Sequence, residues 1–412
     1  MKRAVTHINN DTWMEQYNDW RYTSCPASGR VGQTGVTMAA LVNSVRLNAE
    51  DEHVRILRKA WGTKFERLLT APRARPGLGK TYSQIMYGSP EVVSLFASDT
   101  HIRRLISDVD PNRISKHLFH LAKDPLPYRK LNLTLPGHKK NTLYEADDYL
   151  ASQLEAWGYR VEREGVQVQA FRRDTSKPKH AQYSPPKPED PWYTAYNLYA
   201  EKKGRSHPEK IILVLAHKDS QSWIDSPGAN DNAIGTVGVL EMARVLAEYT
   251  SEGTIRFLFC NEEHRPWTSK TAAQKAKARG DDLVAVFNMD GIGVKTAEDT
   301  AAGKKTNVTA YTEPEGKRLA ELMAEVNARY SIGLEQRTVK RSQPGDDDGS
   351  FVQAGYPAAV INIGSWPYGD PNYHAEGDTP ETCDVENAAM TVQATLAAIV
   401  TIDGDFRSAR PD

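Results

Sequence analysis

Residues 211–220 read IILVLAHKDS, and this stretch decides the fold class. Its apolar run, from Ile211 to Ala216, is typical of a strand that is buried on both faces of a parallel sheet. The run stops abruptly at His217, and a second polar residue, Asp219, follows two positions later. A single histidine at a strand end is more often structural than functional, so its meaning depends on what the other strands deliver to the same place.

Apolar strands of the same kind alternate with helical patterns throughout residues 108–412. The predicted strands are 159–163 and 165–171 as a pair, 193–200, 210–217, 254–261, 283–290, 334–340 and 357–364. The predicted helices are 141–158, 236–249, 314–330 and 385–400. This alternation predicts an α/β sandwich whose mostly parallel sheet is covered by helices on both faces. In such folds, ligands bind beyond the carboxyl ends of the strands.

Two local signals accompany this pattern. In the helix predicted over 141–158, Thr142 and Glu145 have the spacing of a capping box, and Gly158 fits the C-terminal cap. Residues 174–190 are rich in proline and lysine and predict a surface loop.

Residues 1–107 differ from the rest of the chain. Apolar residues at spacings of three and four predict an amphipathic helix over 54–68, and shorter helical patterns follow at 89–97 and 99–108. We therefore predict a helical N-terminal extension over 1–107 and a main domain over 108–412. We expect the extension to serve packing or contacts between copies of the chain in a homo-oligomer.

The composition limits the classes of function. The chain has 412 residues, of which 39% are hydrophobic and 25% charged, so a packed core is expected and global disorder is not. A net charge of −1 gives no electrostatic reason for a nucleic acid or an anionic membrane as partner. The N-terminal segment lacks the apolar stretch of a secretory signal, so we expect a cytoplasmic protein. The three cysteines are far apart and suggest no metal site.

Polar side chains follow four of the predicted strands, and one more precedes a predicted helix. They are His217, Asp231, the pair Glu262 and Glu263, Asp290 and His374. Each alone has an ordinary structural explanation, but their joint arrival at strand ends is hard to explain as packing. Two histidines and three of these four carboxylates, without cysteine, suit two divalent ions such as zinc, provided that one carboxylate bridges them. A pair of ions roughly 3.5–4 Å apart can polarise a carbonyl and ionise a shared water.

Asp219 has a place in this hypothesis. Two residues beyond His217 on an extended chain, its side chain points to the same side. It can accept the proton of the imidazole's other nitrogen and so fix the tautomer that binds metal.

The motifs that carry these residues resemble the co-catalytic di-zinc exopeptidases, which include bacterial leucyl aminopeptidases, glutamate carboxypeptidase and glutaminyl cyclase relatives. The motifs are HKDS, PGANDNAIG, NEE, NMDGIG and YHAEGDT, in that order along the chain. The resemblance covers residues 108–412 and implies a three-layer α/β/α sandwich around a mixed, mostly parallel sheet. It also extends to GDDDGSFVQAGYPAAVI, where Asp347 matches the family's aspartate and Asp348 stands where relatives often have histidine.

The resemblance also implies a role for each residue. His217 and Asp290 would hold one zinc, Glu263 and His374 would hold the other, and Asp231 would bridge both. Glu262 would be the general base acting on a metal-bridged water, and Asp219 would orient His217. The implied cofactor is two zinc ions per chain.

The implied activity is that of a zinc exopeptidase acting on a peptide or small amide, and we favour an aminopeptidase. A metallocarboxypeptidase, a glutaminyl-cyclase-like acyltransferase and a metal-free relative stay open as alternatives. Recognition of a terminal carboxylate usually needs arginine, and Arg265 is the arginine that adjoins a motif. We expect residues 264–267 to shape the rim of the pocket, and Tyr368 or Tyr373 to be candidate hydrogen-bond donors to the developing oxyanion.

Overall fold

The computed structural model describes residues 90–178 and 182–408. The helix predicted over 54–68, and with it most of the predicted N-terminal extension, lies outside these residues. The first described helix, Pro90–Ser107, joins the two shorter helical patterns predicted at 89–97 and 99–108. The folded unit described below begins at residue 97. A boundary at residue 107 and the role of the extension stay predictions.

A nine-stranded mixed sheet forms the centre of this unit. The strands are β1 (Val161–Ala170), β2 (Arg172–Arg173), β3 (Tyr183–Ser184), β4 (Trp192–Lys202), β5 (His207–His217), β6 (Gly253–Cys260), β7 (His264–Arg265), β8 (Asp282–Met289), β9 (Thr306–Tyr311), β10 (Glu335–Lys340) and β11 (Ala359–Ile363). Their order in the sheet is β10-β9-β11-β8-β5-β6-β4-β1-β7, while β2 and β3 form a separate ribbon. The four central strands, β11, β8, β5 and β6, run parallel to one another.

Helices cover both faces of the sheet. They are α1 (Pro90–Ser107), α2 (Pro111–Ala122), α3 (Thr142–Ala156), α4 (Ile234–Leu246), α5 (Thr268–Arg279), α6 (Ala297–Ala301), α7 (Pro314–Tyr330), α8 (Asp346–Gln353) and α9 (Val385–Ser408). The larger core lies between the sheet and the face with α2, α4, α7 and α9. A second core lies between the sheet and α5 with α8. The predicted three-layer α/β/α sandwich is therefore confirmed.

Strand β5 contributes side chains to both cores. Its side chains alternate, so that Ile212 and Val214 enter the larger core while Leu213 and Leu215 enter the second. Each of the four is at most 1% exposed. Because both faces are buried over residues 211–216, this part of the strand has no polar position, which explains the unbroken apolar run in its sequence.

The last helix, α9, is the one described helix that is long and apolar enough to cross a membrane. Within the folded unit, 67% of its apolar window is buried. This burial is what a central helix of a globular core requires, and the helix packs against α4 and α7.

Two local predictions need correction, the strand pair and the capping box. The predicted strand pair at 159–171 is one continuous strand, β1, because Gly165 pairs with Tyr196 of β4 instead of opening a turn. The N-cap of α3 is Asn141, whose side chain accepts the N–H of Tyr144 at 2.8 Å. The hydroxyl of Thr142 instead accepts the N–H of Lys130 and is not a cap.

The other end of α3 is as predicted, since Gly158 follows the helix with a φ of 85°. Several elements were not predicted as strands or helices, namely β2, β3, β7, β9, α2, α5, α6 and α8.

Candidate metal centre

The carboxyl ends of the parallel strands meet at one edge of the sheet. Strand β5 ends on His217, which pairs with Cys260 at the end of β6. Glu262 and Glu263 follow β6, and Asp290 follows β8 directly. His374 comes from the loop after β11. The predicted ligand residues are thereby brought together from distant points of the chain.

Two groups of three side chains have the geometry of metal sites, and they share Asp231. The first group is His217, Asp231 and Asp290, and the second is Asp231, Glu263 and His374. In each group the candidate ligand atoms lie within 4.8 Å of one another. Asp231 turns one carboxylate oxygen to each group, as a bridging ligand must.

The distances in the first group fit a bound cation. Nε2 of His217 lies 3.1 Å from Oδ1 of Asp231 and 3.7 Å from Oδ2 of Asp290. Two atoms bound to one tetrahedral zinc at about 2.0–2.1 Å would be about 3.4 Å apart. With Nδ1 of His217 donating to Asp219, Nε2 faces these oxygens as an acceptor facing acceptors. Such an arrangement is repulsive unless a proton or a metal ion lies between the atoms.

The second group has the same character. Nε2 of His374 lies 3.0 Å from Oδ2 of Asp231 and 3.3 Å from Oε1 of Glu263. Burial acts to lower the pKa of His374, but Glu263 and Asp231 outweigh it and raise that pKa to about 10. The carboxylates therefore favour positive charge at this position, and a divalent ion supplies it without a proton.

Asp219 organises the two strand ends that carry His217 and the glutamate pair. The carboxylate is fully buried, and its Oδ1 lies 3.2 Å from Nδ1 of His217. It also accepts the backbone N–H groups of Glu262 and Glu263, both at 2.9 Å. Its second oxygen lies 2.8 Å from Nδ1 of His264. Asp219 thus fixes the direction in which the two glutamates leave the strand, as well as contacting His217.

The prediction that residues 264–267 shape the rim of the pocket is wrong for His264. The side chain is fully buried behind Asp219 and does not form the rim of a pocket. Arg265 is partly buried, with its guanidinium 5.3 Å from the ring centroid of Phe171 and 5.6 Å from that of Trp267. Only its position directly after Glu263 could have pointed to His264.

The backbone at Asp231 is fixed by Asp378, a residue to which the sequence analysis assigned no role. The carboxylate of Asp378 accepts the backbone N–H groups of Asn230 at 2.7 Å and Asp231 at 3.0 Å. The side chain of Asn230 donates to Asp370 and to the hydroxyl of Tyr368, both at 2.8 Å. Asp378 lies inside the quoted motif YHAEGDT, so the motif itself held the signal.

Glu262 is placed differently from its neighbour. It is partly exposed, and Oε2 has no hydrogen-bond partner within the described part of the chain. Burial, followed by the charges of Asp347 and Asp346, raises the pKa of Glu262 well above its ordinary value. Asp347 is itself fully buried and lies 3.0 Å from the thiol of Cys260. A carboxylate that belongs to neither group of candidate ligands is free to accept a proton.

Aromatic rings surround His374. Tyr373 stacks on it with ring centroids 3.7 Å apart, while Tyr183 and Trp223 approach edge to face at 6.2 Å and 6.3 Å. The hydroxyl of Tyr368 accepts a hydrogen bond from Asn230 and keeps its own proton for another acceptor. Of the two tyrosines considered as oxyanion donors, Tyr368 has the hydroxyl with a described partner.

Arg341, which directly follows β10, places a positive charge near the acidic residues at the start of α8. Arg341 is 7% exposed, and its guanidinium lies 3.0 Å from Asp346 and in contact with Asp348. Burial raises the pKa of Asp348 to about 7, although Arg341 acts against this shift. The aspartate at the position where relatives often have histidine is therefore a partner of Arg341.

Residues 197–399 match the model of peptidase family M28. A probable zinc metalloprotease of Pyrenophora teres f. teres (strain 0-1) is 26% identical over 343 residues, which cover 74% of this chain and 65% of that protein. A second relative, a probable zinc metalloprotease of Pyrenophora tritici-repentis, is 27% identical over 243 residues. This match covers 51% of this chain and 48% of that protein. The chain thus spans about half to two thirds of the length of these curated relatives.

Solved structures share the fold. The Legionella pneumophila LapA aminopeptidase superposes with a TM-score of 0.57 at 18% identity, over 74% of this chain and 75% of that one. A Bacteroides thetaiotaomicron glutaminyl cyclase bound to N-acetylhistamine superposes with a TM-score of 0.53 at 17% identity, over 71% and 98%. The region that resembles peptidase family M28, residues 197–399, contains every candidate ligand described above.

Proposed function

We propose that this chain is a zinc-dependent exopeptidase of the aminopeptidase type, with two zinc ions per chain. The observation that carries the proposal is the pair of three-residue groups that share Asp231, with Glu262 beside them and outside both. His217 and Asp290 would hold one ion, and Glu263 and His374 the other. Bound zinc would polarise the scissile carbonyl and lower the pKa of the attacking water.

The protein's own residues account for the proton transfers. Glu262 accepts the proton of the attacking water and then delivers it to the departing amine. Asp219 holds Glu262 in place through the backbone N–H of that residue. The hydroxyl proton of Tyr368 is a candidate donor to the oxygen that becomes negative.

The aminopeptidase type is preferred to a carboxypeptidase because both arginines considered near the site already have partners. Arg265 lies against the rings of Phe171 and Trp267, and Arg341 pairs with two aspartates. Reading a terminal carboxylate would need a guanidinium that offers its two donors to the substrate. The surplus of carboxylates at the site instead suits a protonated or metal-bound amine.

The aromatic surroundings of His374 suggest which side chain the substrate carries. Tyr183 is 38% exposed, and Trp223 is partly buried with an Nε1 that has no partner among the described residues. Rings in this position favour a large apolar or aromatic side chain next to the bond that is cut.

A cytoplasmic location stays part of the proposal.

One comparison of substrates tests the activity. Peptides with a free amino terminus, the same peptides after acetylation, and peptides that begin with glutamine are incubated with the zinc-loaded protein. Acetylation should abolish cleavage, and an apolar first residue should be preferred. Cleavage of the acetylated peptide that stops when the carboxyl terminus is amidated would establish a carboxypeptidase. Cyclisation of the glutaminyl peptide without hydrolysis would establish an acyltransferase.

A further inference from the structure

Arg129 is a buried cation next to the metal centre, although it lies before the region that matches the family. The side chain is 0% exposed. Its guanidinium donates to four backbone carbonyl oxygens, those of Lys218 at 2.7 Å, Leu121 at 2.6 Å, Pro227 at 2.7 Å and Gly228 at 2.7 Å. The planar fork of arginine can satisfy several acceptors at fixed angles, which a lysine ammonium cannot do.

Two of these carbonyls belong to the turns that carry the candidate ligands. Lys218 stands between His217 and Asp219 at the end of β5. Gly228 is three residues before Asp231 and has a left-handed φ of 60°. One guanidinium therefore sets the distance between the turn that presents His217 and the turn that presents Asp231.

The backbone around Arg129 strengthens this connection. Its N–H donates to the hydroxyl of Ser220, and its carbonyl accepts the N–H of Ser220, both at 3.0 Å. Lys130 pairs with Asp225 at 2.8 Å, and the side chain of Asn132 donates to a carbonyl at 2.9 Å. Residues 129–132 thus run along the loop that leads from His217 to Asp231.

The close packing leaves little freedom at this place. A Cβ on Gly228 would lie 3.0 Å from Nη2 of Arg129 and 2.5 Å from the carbonyl oxygen of Asp231. Burial lowers the pKa of Arg129 to about 10, while Asp378, Asp219 and Asp231 act in the opposite direction. The guanidinium therefore keeps its charge at neutral pH, close to a centre crowded with carboxylates.

We infer that Arg129 is a positioning residue for the metal centre, which fixes the turns of His217 and Asp231 so that both side chains face the same ion. This inference rests on the proposed function, since it assigns a role toward the zinc ions. It predicts that the affinity for the ion between His217, Asp231 and Asp290 depends on Arg129 more strongly than the affinity for the other ion does. The ion between Glu263 and His374 depends on it only through Asp231.

The test compares R129M and R129K with the control D403N in the full chain. Asp403 is also fully buried, and it accepts the N–H of Gly253 at 2.7 Å, at the start of β6 and hence at the opposite edge of the sheet. All three changes should lower the free energy of unfolding. Zinc affinity is measured by competition with a chelator, and the coordination is followed by the visible absorption of the cobalt-substituted protein.

Both Arg129 variants should lose zinc affinity by roughly 10–100-fold, the usual effect of residues that orient ligands, and should change the cobalt spectrum. D403N should keep the affinity and the spectrum of the unchanged protein. R129K provides the measurement if R129M does not fold. Wild-type affinity and spectrum in either folded Arg129 variant would overturn the inference, and equal losses in D403N would reduce the effect to general destabilisation. An unchanged protein that binds no metal would instead refute the proposed function.

Discussion

At the scale of single residues, the two adjacent glutamates provide the sharpest prediction about mechanism. Glu262→Gln keeps the size of the side chain and removes the proton acceptor. Turnover should fall by about 10²–10⁴-fold, the usual share of acid–base catalysis, while bound metal and the affinity for substrate change little. Steady-state kinetics and metal analysis on the same preparation measure both quantities.

The neighbouring change, Glu263→Gln, is the control. Oε1 of Glu263 lies 3.3 Å from Nε2 of His374, so this change should remove a proposed metal ligand and lower the metal content. If Glu262→Gln loses metal while Glu263→Gln keeps it and is merely slow, the two roles are reversed. A fully active Glu262→Gln would show that this carboxylate carries no proton.

The sequence predicted which residues meet at the site because most of them follow one of the parallel strands, whose carboxyl ends share one edge of the sheet. His217, Asp290 and the glutamates have this relation to their strands. Arg129 has no such signal, because its partners are backbone carbonyls, which any residue type can offer. Lys218 is similar, since its fully buried ammonium pairs with Asp147 of α3 at 2.8 Å, a contact that no local pattern announces.

At the scale of secondary structure elements, strands that enter a core on both faces were predictable and small-residue helices were not. Helix α5 buries Ala272, Ala273 and Ala276 and so has no stripe of large apolar residues. Helix α8 begins with three aspartates and contains a glycine, which reads as a loop. Strand β9 is fully buried but carries two threonines and an asparagine, whose side chains bond to neighbouring strands.

The turn before α4 leads to a prediction about Gly228. Gly228→Ala would require a non-glycine residue at a φ of 60° and bring its Cβ within 2.5 Å of the carbonyl oxygen of Asp231. The left-handed backbone alone costs about 1–2 kcal/mol, and the close approach adds to this cost and displaces Asp231. We expect lower zinc affinity together with a lower free energy of unfolding.

Gly137→Ala is the matched control for this change. Gly137 has a φ of 83°, but a Cβ there would meet nothing within 4 Å. It should show the backbone cost without the loss of zinc affinity. Equal zinc affinity in the two variants would mean that the turn does not hold the centre in place.

The contact between α2 and α3 leads to a prediction about pH. His117 of α2 is buried, and its Nδ1 lies 2.6 Å from the hydroxyl of Tyr149 in α3. Burial, followed by the charges of Arg113 and Lys116, lowers the pKa of His117 from 6.5 to about 4. The unfolded chain therefore binds a proton at higher pH than the folded one, and this contribution to stability is lost as pH falls from 6.5 toward 4.

Replacing His117 with glutamine should flatten the dependence of the unfolding free energy on pH across that interval. Urea unfolding at several pH values measures the slope. A slope that is the same in the unchanged protein and in His117→Gln would contradict the account of this contact.

At the scale of the whole molecule, the fold brings two groups of candidate metal ligands to the carboxyl edge of its sheet, with Asp231 as the residue that the two groups share. Ions that bind only the folded chain stabilise it, so a strong chelator should lower the melting temperature as well as abolish turnover. Readdition of zinc should restore both.

The most direct test of the central claim is the number of zinc ions bound per chain, measured by elemental analysis on the unchanged protein and on Asp231→Ala after dialysis against a zinc buffer. The unchanged protein should bind close to two ions. Asp231→Ala should lose both, because its carboxylate faces His217 at 3.1 Å and His374 at 3.0 Å. Two ions retained in Asp231→Ala, or full turnover by a metal-free preparation of the unchanged protein, would contradict the account.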